Sequence, residues 1–434
     1  KLGPRSSHVE EDAISILSRQ AGPARRVSES GTIGSRFSKN YSLECSRPFL
    51  AHASIGPSCA LAQWNENCLH VWCHSPGIYP LRNALARAFS LRFEQVTVTQ
   101  LPGSGSYGQN GGDDVALDAA LLARAVPGTA VRVQWSRADE LCLSPVGTAM
   151  ISKVSATLDE RNRIASWDTS IVTGVHVARP GYDGKVNLLS AALALGVAEK
   201  PVGEDLPGGG DRNAVPLYEI PYITVAKSVA APLPLRTSSF RTLGAFMNVF
   251  AIESLIDEIA RDQKVDAAEF RLSYLADERA KAVINAVVGI SPWRKPRRRH
   301  HGLGLGFARY KGSAAYCAVI AEVSAVRDIR VTRTWAAVDA GRAINPDGIK
   351  NQIEGGMIQA ISWTLKEQVR FSSDGITSAD WRSYPILRFS ETPEIEVVVL
   401  PADNMASVGV GEASSGPMAA AVGNAIRDVL GVRI

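Results

Sequence analysis

Two hydrophobic periods organise the first half of the chain: a period of two residues, which indicates strands, and a period near 3.6, which indicates helices. Alternating apolar residues predict strands over 69–74, 95–101 and 130–136, and a hairpin over 151–174 that turns at 159–162. Apolar residues at helical spacing predict helices over 79–90 and 113–126. The polar, Ser/Arg-rich residues 1–42 predict a linker or N-terminal arm with one short helix near 10–20.

A Gly/Pro-rich stretch at 196–213 interrupts this pattern, and the same two periods return beyond it. The helical period predicts helices over 246–263, about 267–288, 349–367 and 417–430. Strands are predicted within 314–325, 329–341 and 394–401. Because strands and helices do not alternate regularly, the pattern favours a strand-rich α+β fold over a doubly wound sheet.

The basic run WRKPRRRHH (293–301) marks the expected domain boundary. With 434 residues the chain exceeds the roughly 100–200 residues of one domain, so we expect at least two. The predicted domains are 43–290 and 302–434, and residues 291–301 form a basic linker between them. A solvated linker is the expected role of the run, with contact to an acidic partner as the alternative.

Composition excludes several classes of protein. The net charge of +4 is weak and dispersed, which argues against a nucleic-acid partner. No run of about 18 apolar residues predicts a membrane span, and the first residues contain no hydrophobic signal segment. The six cysteines include no CxxC pair, so we expect no zinc, iron–sulfur cluster or other metal bound by side chains of this chain. Their scatter fits a reducing, cytoplasmic compartment, with a membrane-associated complex as the alternative.

Glycines concentrate between a predicted strand and a predicted helix in LPGSGSYGQNGGDD (101–114). Gly105 and Gly108 let backbone N–H groups approach an anion or a flat cofactor. The stretch lacks the GxGxxG pattern of a dinucleotide-binding unit, which disfavours a nucleotide-dependent dehydrogenase. A flexible connection is the alternative.

Two further stretches combine polar groups with small residues. Arg241 precedes the long helix at 246–263, where its paired donors suit a phosphate or carboxylate; a surface salt bridge is the alternative. Gln352 and Gln359 are seven residues apart on one helical face, with Gly355 and Gly356 between them. The two side-chain amides, with small glycines between them, suit hydrogen bonding to the polar edge of a heterocycle. Alternatively, the glycines allow another helix to pack closely.

A carboxylate stands among glycines in ASVGVGEASSGPMAAAVGNAI (406–426). Gly411 directly precedes Glu412, so a bulky ligand has room to approach the acid. Ser414 and Ser415 supply capping groups for the next helix, whose free N–H groups form an anion site. A capping or solvated glutamate is the alternative.

Nine segments in the order of the chain carry a resemblance that covers residues 43–434. They are AHASIGPSCALAQW, HSPGIYPLRNALARAF, GSYGQNGGDDVALDAALLARAVPG, VQWSRADE, GGGDRNAVPLY, FRTLGAFMNVFAIESLIDEIA, AAVDAGRAINPDGIKNQIEGGMIQA, SYPILRFSETPEIEVVV and GVGEASSGP. Together they resemble the molybdenum-binding large subunit of the xanthine dehydrogenase/aldehyde oxidase family, of the nicotinate dehydrogenase and isoquinoline 1-oxidoreductase types. The resemblance implies α+β, mixed-sheet molybdenum-cofactor-binding domains.

The resemblance also implies an enzyme and its cofactors. The chain would be a molybdenum hydroxylase subunit that hydroxylates a nicotinate-like N-heteroaromatic substrate, or oxidises an aldehyde, with water-derived oxygen. Its cofactor would be molybdopterin, in the cytosine dinucleotide form, with molybdenum. Electrons would pass to a [2Fe–2S] centre on an iron–sulfur partner subunit, so the protein would be part of a hetero-oligomer. A cytochrome or flavin subunit is a further candidate partner.

In this resemblance Glu412 would be the general base of the reaction. The residues that would bind the cofactor are Gly105, Ser106, Tyr107, Gly108, Phe240, Arg241, Gln352, Gly355, Gly356, Gln359, Gly411, Ser414 and Ser415. Ser414 and Ser415 would hold its phosphate end.

The chain departs from the family pattern at several positions. Pro76 stands where relatives often have a glutamine near the metal, and Ser106 and Gln109 replace a Cys and a His. A small N-terminal domain and a second glycine–glutamine loop of the family are also missing. These departures leave a second hypothesis open, in which the chain is a cofactor-free homologue that acts as a scaffold or assembly subunit.

Overall fold

The computed structural model describes residues 12–32, 34, 38–181, 185–197 and 205–433. Its helices are α1 (Ala13–Gln20), α2 (Ile78–Ala88), α3 (Gly112–Arg124), α4 (Arg137–Leu143), α5 (Leu189–Leu195), α6 (Ala245–Asp262), α7 (Ala267–Leu272), α8 (Glu278–Ile290), α9 (Pro346–Leu365) and α10 (Ser415–Leu430). Its strands are β1 (Arg25–Gly31), β2 (Lys39–Arg47), β3 (Cys59–Asn65), β4 (Cys68–Cys73), β5 (Val96–Gln100), β6 (Val131–Gln134), β7 (Met150–Leu158), β8 (Ile164–Thr173), β9 (Tyr222–Val229), β10 (His301–Arg309), β11 (Tyr316–Ser324), β12 (Arg330–Asp339), β13 (Phe371–Ser372), β14 (Gly375–Ile376) and β15 (Glu394–Val399).

The strands form three mixed sheets and a small hairpin. The first sheet has the order β1-β9-β8-β7-β2, the second β5-β4-β3-β6 and the third β10-β11-β12-β15, while β13 pairs with β14. Each of the three larger sheets contains one parallel pair, β8–β9, β4–β5 or β12–β15, among antiparallel pairs. This arrangement confirms the predicted α+β fold with mixed sheets.

Helix α6 joins the first and third sheets, since it packs on β2 and β7 and also on β10 and α10. Its Glu253 forms a fully buried ion pair with Arg271 of α7 (Nε to Oε2 2.8 Å). The same carboxylate accepts from the backbone N–H of Phe307 in β10 (3.0 Å). A buried ion pair is stable only when hydrogen bonds satisfy its remaining atoms, and here those bonds fix α6 and α7 to the third sheet.

Helix α10 lies directly on β10 because three alternate residues of that strand are glycines. A Cβ at Gly302, Gly304 or Gly306 would lie 2.3, 2.2 or 2.1 Å from a backbone oxygen of α10. These distances are far below a van der Waals contact, so the strand accepts no side chain there. The glycines therefore set the position of α10 and of the residues that precede it.

Several predictions agree with the structure, and two need correction. The predicted hairpin over 151–174 is β7 and β8, with its turn at 159–163. The helix predicted over 267–288 is two helices, α7 and α8, because Asp277 caps a new helix start by accepting from Arg279 N and Ala280 N. The predicted linker or arm at 1–42 contains α1 and β1 and the start of β2, and β1 pairs with β9; residues 1–11 lie outside the described residues.

Two further expectations concern the domain boundaries and membrane spans. The predicted boundaries at 43–290, 291–301 and 302–434 stay a prediction. Within the described residues, no helix has both the length and the apolar character needed to cross a membrane.

Replacement of Gly304 by alanine is expected to lower the free energy of unfolding by about 1–3 kcal/mol, the usual cost of overpacking. The new methyl group would lie 2.2 Å from both Ala421 O and Ala425 N, so α10 would have to move. Urea denaturation measures the change. Gly289→Ala is the matched control, because no atom lies within 4 Å of a Cβ at that exposed position of α8. Equal stabilities of the two variants would contradict the proposed contact.

Candidate functional site

A cavity of about 870 Å³ lies where four distant segments of the chain meet. The segments are the glycine loop after β5, residues 239–243 before α6, one face of α9, and the residues before α10. The predicted site residues that line it are Ser106, Tyr107, Gly108, Phe240, Arg241, Gln352, Gly355, Gln359, Gly411 and Glu412. Most of the predicted site is thus brought together in one place.

The glycine loop approaches residues 239–241 so closely that only glycine fits at position 108. A Cβ there would lie 2.1 Å from Ser239 O, and the backbone has a φ of +124°. Gln109 N donates to Ser239 O (2.8 Å) and Arg241 N donates to Tyr107 O (2.7 Å). No described residue accepts a hydrogen bond from the N–H groups of Ser106, Tyr107 or Gly108, so these donors remain available.

Arg241 holds the cavity wall together. Its Nη1 donates to Gln359 Oε1 (2.7 Å), its Nη2 to Gln352 O (3.2 Å), and its Nε to Gly411 O (2.8 Å). Burial lowers the pKa of the guanidinium, and the negative charge of Glu412 opposes that shift. The arginine therefore joins α9 to the residues before α10 and carries its charge into the cavity wall.

Glu412 is half-buried, and its carboxylate is held in place. Oε1 accepts from the backbone N–H of Thr242 (2.7 Å). Thr242 and Leu243 have φ values of 78° and 54°, a left-handed conformation that is costly for residues with side chains. Tyr310 is the nearby buried phenol: burial raises its pKa, and the charge of Glu412 raises it further. The hydroxyl of Tyr310 accepts from Arg212 Nη1 (3.0 Å).

Three cations that the sequence analysis did not single out also line the cavity: Arg179, Arg212 and Lys311. Arg179 Nε donates to Ser239 Oγ (3.3 Å), and Lys311 Nζ lies 5.4 Å from the ring centre of Tyr310. Arg212 lies in the Gly/Pro-rich stretch 196–213 and in one segment of the family resemblance, whereas Lys311 lies in none of the nine segments. With Arg241, four cations line the cavity that also contains Glu412, so the cavity favours an anionic ligand.

Four predicted site residues do not line the cavity. Ser414 and Ser415 are buried, and their hydroxyls donate to Ile353 O (2.9 Å) and Gly356 O (3.2 Å) of α9. A Cβ at Gly356 would lie 2.4 Å from Ser414 Oγ, so this glycine serves the packing of α9 on α10. Gly105 shapes the loop with a φ of +90°. The two serine hydroxyls are thus bonded to α9, and their role at the phosphate end of a ligand stays a prediction.

Pro76 lines the cavity, and the residue before it contacts a buried acid. Ser75 Oγ donates to Asp113 Oδ1 (2.5 Å) and accepts from Gly77 N (3.0 Å). Burial raises the pKa of the Asp113 carboxyl to about 7; Ser75 and the nearby arginines oppose the shift, and Asp114 adds to it. Asp113 is therefore a positioning group for the Pro76 turn.

Two segments that contribute to the cavity wall are only partly described. Residues 182–184 and 198–204 lie outside the described residues. The parts that are described contribute Arg179 and Arg212 to the cavity.

Comparisons with known proteins match both halves of the chain to one kind of domain. Two family profiles, each described as a molybdopterin cofactor-binding domain, match residues 28–178 and 266–393. The chain is 37% identical over 404 residues to a nicotinate dehydrogenase subunit of Pseudomonas putida, a match that covers 89% of this chain and 33% of the relative. It is 31% identical over 335 residues to the beta subunit of isoquinoline 1-oxidoreductase from Brevundimonas diminuta, covering 75% of this chain and 40% of the relative. The chain thus spans well under half of the length of these relatives.

Solved structures share the fold at low sequence identity. Quinoline 2-oxidoreductase from Pseudomonas putida 86 has a TM-score of 0.75 at 15% identity, and the match covers 94% of this chain and 76% of that chain. The aldehyde oxidoreductase from Desulfovibrio desulfuricans has a TM-score of 0.79 at 13% identity, covering 100% and 65%. These similarities concern the fold.

Asp113→Asn is expected to remove a pH dependence of stability. The carboxyl keeps its proton up to about pH 7 in the folded chain but has an ordinary value of 3.8. The folded state therefore binds more protons between these values, and the free energy of unfolding falls as the pH rises through this window. Urea denaturation at about pH 5 and about pH 8 is expected to show the variant gaining up to about 3 kcal/mol relative to the wild type over that rise, because roughly two pH units of the window lie between these measurements. Parallel pH profiles would refute the raised pKa.

Proposed function

The chain belongs to the molybdopterin-binding large-subunit family of xanthine dehydrogenases and aldehyde oxidases, and we propose that it is the substrate-oxidising subunit of a molybdenum hydroxylase. Glu412 is the observation that carries this proposal. It is the only acid that lines the cavity among the described residues, and four cations and three free backbone donors line the same cavity.

The described residues fit a molybdopterin cofactor. The N–H groups of Ser106, Tyr107 and Gly108 are donors without a protein acceptor. Gln352 and Gln359 offer amides that match the polar edge of a pterin, and no atom lies within 4 Å of a Cβ at Gly355. A flat heterocycle can therefore approach α9 closely. When bound, the cofactor would supply the molybdenum for two-electron oxidation with water-derived oxygen.

Glu412 is the proposed general base. Thr242 N donates to Oε1 at 2.7 Å and holds the carboxylate in the cavity wall, where it can take a proton from a group in the cavity. Half-burial limits the water around the carboxylate, and a base acts best when it is close to its proton donor. Gly411 permits a close approach, because a Cβ there would meet only Gln352 Oε1, at 3.5 Å.

The three cations favour an anionic N-heteroaromatic acid as the substrate over an aldehyde. Arg241 uses its donors on α9 and on Gly411, whereas the Lys311 ammonium donates to no described residue. Among the described residues, Arg179 and Arg212 each find one acceptor for their side-chain donors, so further donors remain. A carboxylate beside these groups would be held by charge-assisted hydrogen bonds. The name of the relative nicotinate dehydrogenase agrees with such a substrate.

The rest of the assembly follows from the family and from the cysteines. The six cysteines are free thiols spread over the chain, so electrons would leave through a [2Fe–2S] centre on a partner subunit. A cytochrome or flavin subunit would accept them in a hetero-oligomer. We also propose that the cofactor is the cytosine dinucleotide form of molybdopterin. The proposed location is the cytoplasm, with a membrane-associated complex as the alternative.

The second candidate is a cofactor-free scaffold subunit, and Pro76 is the observation that favours it. Proline has no side-chain donor at a position where relatives often have a glutamine, and Ser414 and Ser415 are bonded to α9 instead of facing a ligand. Metal analysis of the purified complex separates the candidates. One molybdenum per chain supports the enzyme, and an active complex without molybdenum leaves only the scaffold. Visible spectra of the co-purified partners identify iron–sulfur or haem groups.

Glu412→Gln is expected to retain the cofactor and to lower kcat by about 100- to 10,000-fold, the usual contribution of a positioned base. The amide keeps the bond from Thr242 N but cannot take a proton. Turnover and molybdenum content are measured on the same preparation. Glu354→Gln, on α9 but outside the cavity lining, is the matched control. Near-normal turnover of Glu412→Gln would exclude the residue as the base.

Lys311→Gln is expected to raise KM for a heteroaromatic acid by about tenfold with little change in kcat, because it removes one charge-assisted hydrogen bond worth about 1.5–3 kcal/mol. Nicotinate and its uncharged amide are the substrate pair to compare, and equilibrium dialysis of nicotinate gives a binding constant without turnover. Lys350→Gln, an exposed lysine of α9 outside the cavity, is the control. An equal effect on both substrates would mean that Lys311 does not contact a carboxylate.

A further inference from the structure

The basic run at 293–301 lies at the end of the third sheet that is opposite to the cavity. β10 begins at His301 and ends at Arg309, two residues before the cavity-lining Lys311. A strand rises about 3.3 Å per residue, so roughly 30 Å separates the run from the cavity. Pairing brings the turn between β11 and β12 to the same end, since His301 pairs with Ser324 and Ala325 N donates to His300 O (2.9 Å).

Several cations at this end have no acidic partner. Lys295, Arg298 and Arg299 of the run, and Arg327 of the β11–β12 turn, are exposed, and no described carboxylate forms an ion pair with them. Asp328 is the exposed acid of the same turn, so the cations outnumber it. Four exposed cations without an ion-pair partner among the described residues therefore lie at this end of the sheet.

Two apolar side chains project from the same surface. Val326 is 66% exposed and Phe389 is fully exposed. Arg330 of β12 donates through Nη2 to Ser390 O, which places the turn that contains Phe389 beside the β11–β12 turn. Each apolar side chain has an arginine as its sequence neighbour. Phe389 is the most exposed large apolar side chain among the described residues, and together with Val326 it adds apolar area beside the cations.

We propose that this basic end surface, formed by Lys295, Arg298, Arg299, Val326, Arg327 and Phe389, binds the anionic lipid headgroups of a membrane. Unpaired lysines and arginines attract anionic lipids, and apolar side chains on neighbouring turns can enter the boundary between headgroups and acyl chains. An electron-accepting protein is a less suitable partner for this surface, because it would have to approach the cavity at the other end of β10. A nucleic acid is a less suitable partner, because its phosphates would contact the cations but not the two apolar side chains. The proposal is independent of the reaction in the cavity.

The test is co-sedimentation of the purified full-length protein with phosphatidylglycerol/phosphatidylcholine vesicles and with vesicles of phosphatidylcholine alone. Binding to the anionic vesicles only, weakening as salt is added, is expected. The triple variant Lys295→Gln/Arg298→Gln/Arg299→Gln is expected to bind about 100-fold more weakly, at about fivefold per cation. Phe389→Ser is expected to bind at least tenfold more weakly, because it removes buried apolar area.

The matched control has the same loss of charge elsewhere: Arg132→Gln/Lys153→Gln/Arg161→Gln, three exposed cations on β6, β7 and the β7–β8 turn. It is expected to bind anionic vesicles like the wild type. Circular dichroism of each variant checks that the fold is intact. Absence of wild-type binding, equal loss in both triple variants, or equally tight binding to double-stranded DNA with no effect of Phe389→Ser would each overturn the proposal.

Discussion

The site depends on how closely α10 can lie on β10. Because Gly302, Gly304 and Gly306 have no Cβ, the backbones of helix and strand touch, and the start of α10 reaches α9. There the buried hydroxyls of Ser414 and Ser415 donate to carbonyl groups of α9, at about 1 kcal/mol for each bond. Glu412 is two residues before this anchored start. The position of the carboxylate is therefore determined by packing at the opposite face of the helix, and the two serines contribute by fixing the backbone.

Arg241 also fixes the residues around Glu412, through hydrogen bonds to α9 and to Gly411. It contacts Gln359, Gln352 and Gly411, which are more than 100 residues away in the chain, and its own N–H donates to Tyr107 O. Its neighbours Thr242 and Leu243 are held with positive φ, a conformation that persists only when the surroundings fix it. The strained turn presents Thr242 N to Glu412, so the strain supports the geometry of the proposed base. Burial of the arginine is tolerated because its donors are paired and an anion lies nearby.

Local patterns predicted the local parts of this structure. The β7–β8 hairpin, α3, α6 and α10 were found from the spacing of apolar residues within each element, which needs no knowledge of distant contacts. The break between α7 and α8 was missed, since apolar spacing continues across it and only the cap at Asp277 reveals it. β1 was missed because an edge strand with exposed polar residues has little hydrophobic alternation. For the site, the sequence pointed to the glycines and to Glu412. It could not show where a serine hydroxyl before a helix points, because the same residues can face a ligand or, as here, a buried carbonyl group.

The distribution of charge could not be predicted from composition for a related reason. A net charge of +4 in 434 residues gives the impression of a weak field. In the folded chain, Asp114 pairs with Arg236, Glu253 with Arg271 and Asp339 with Arg279, so these acids neutralise arginines within the fold. Two groups of cations without an acidic partner remain, one around the cavity and one on the basic end surface, beside further exposed cations elsewhere on the chain. The two groups differ because the cavity also holds a half-buried carboxylate, which a backbone donor fixes. In the function proposed for the cavity this acid takes a proton, whereas the proposal for the basic end surface needs only attachment.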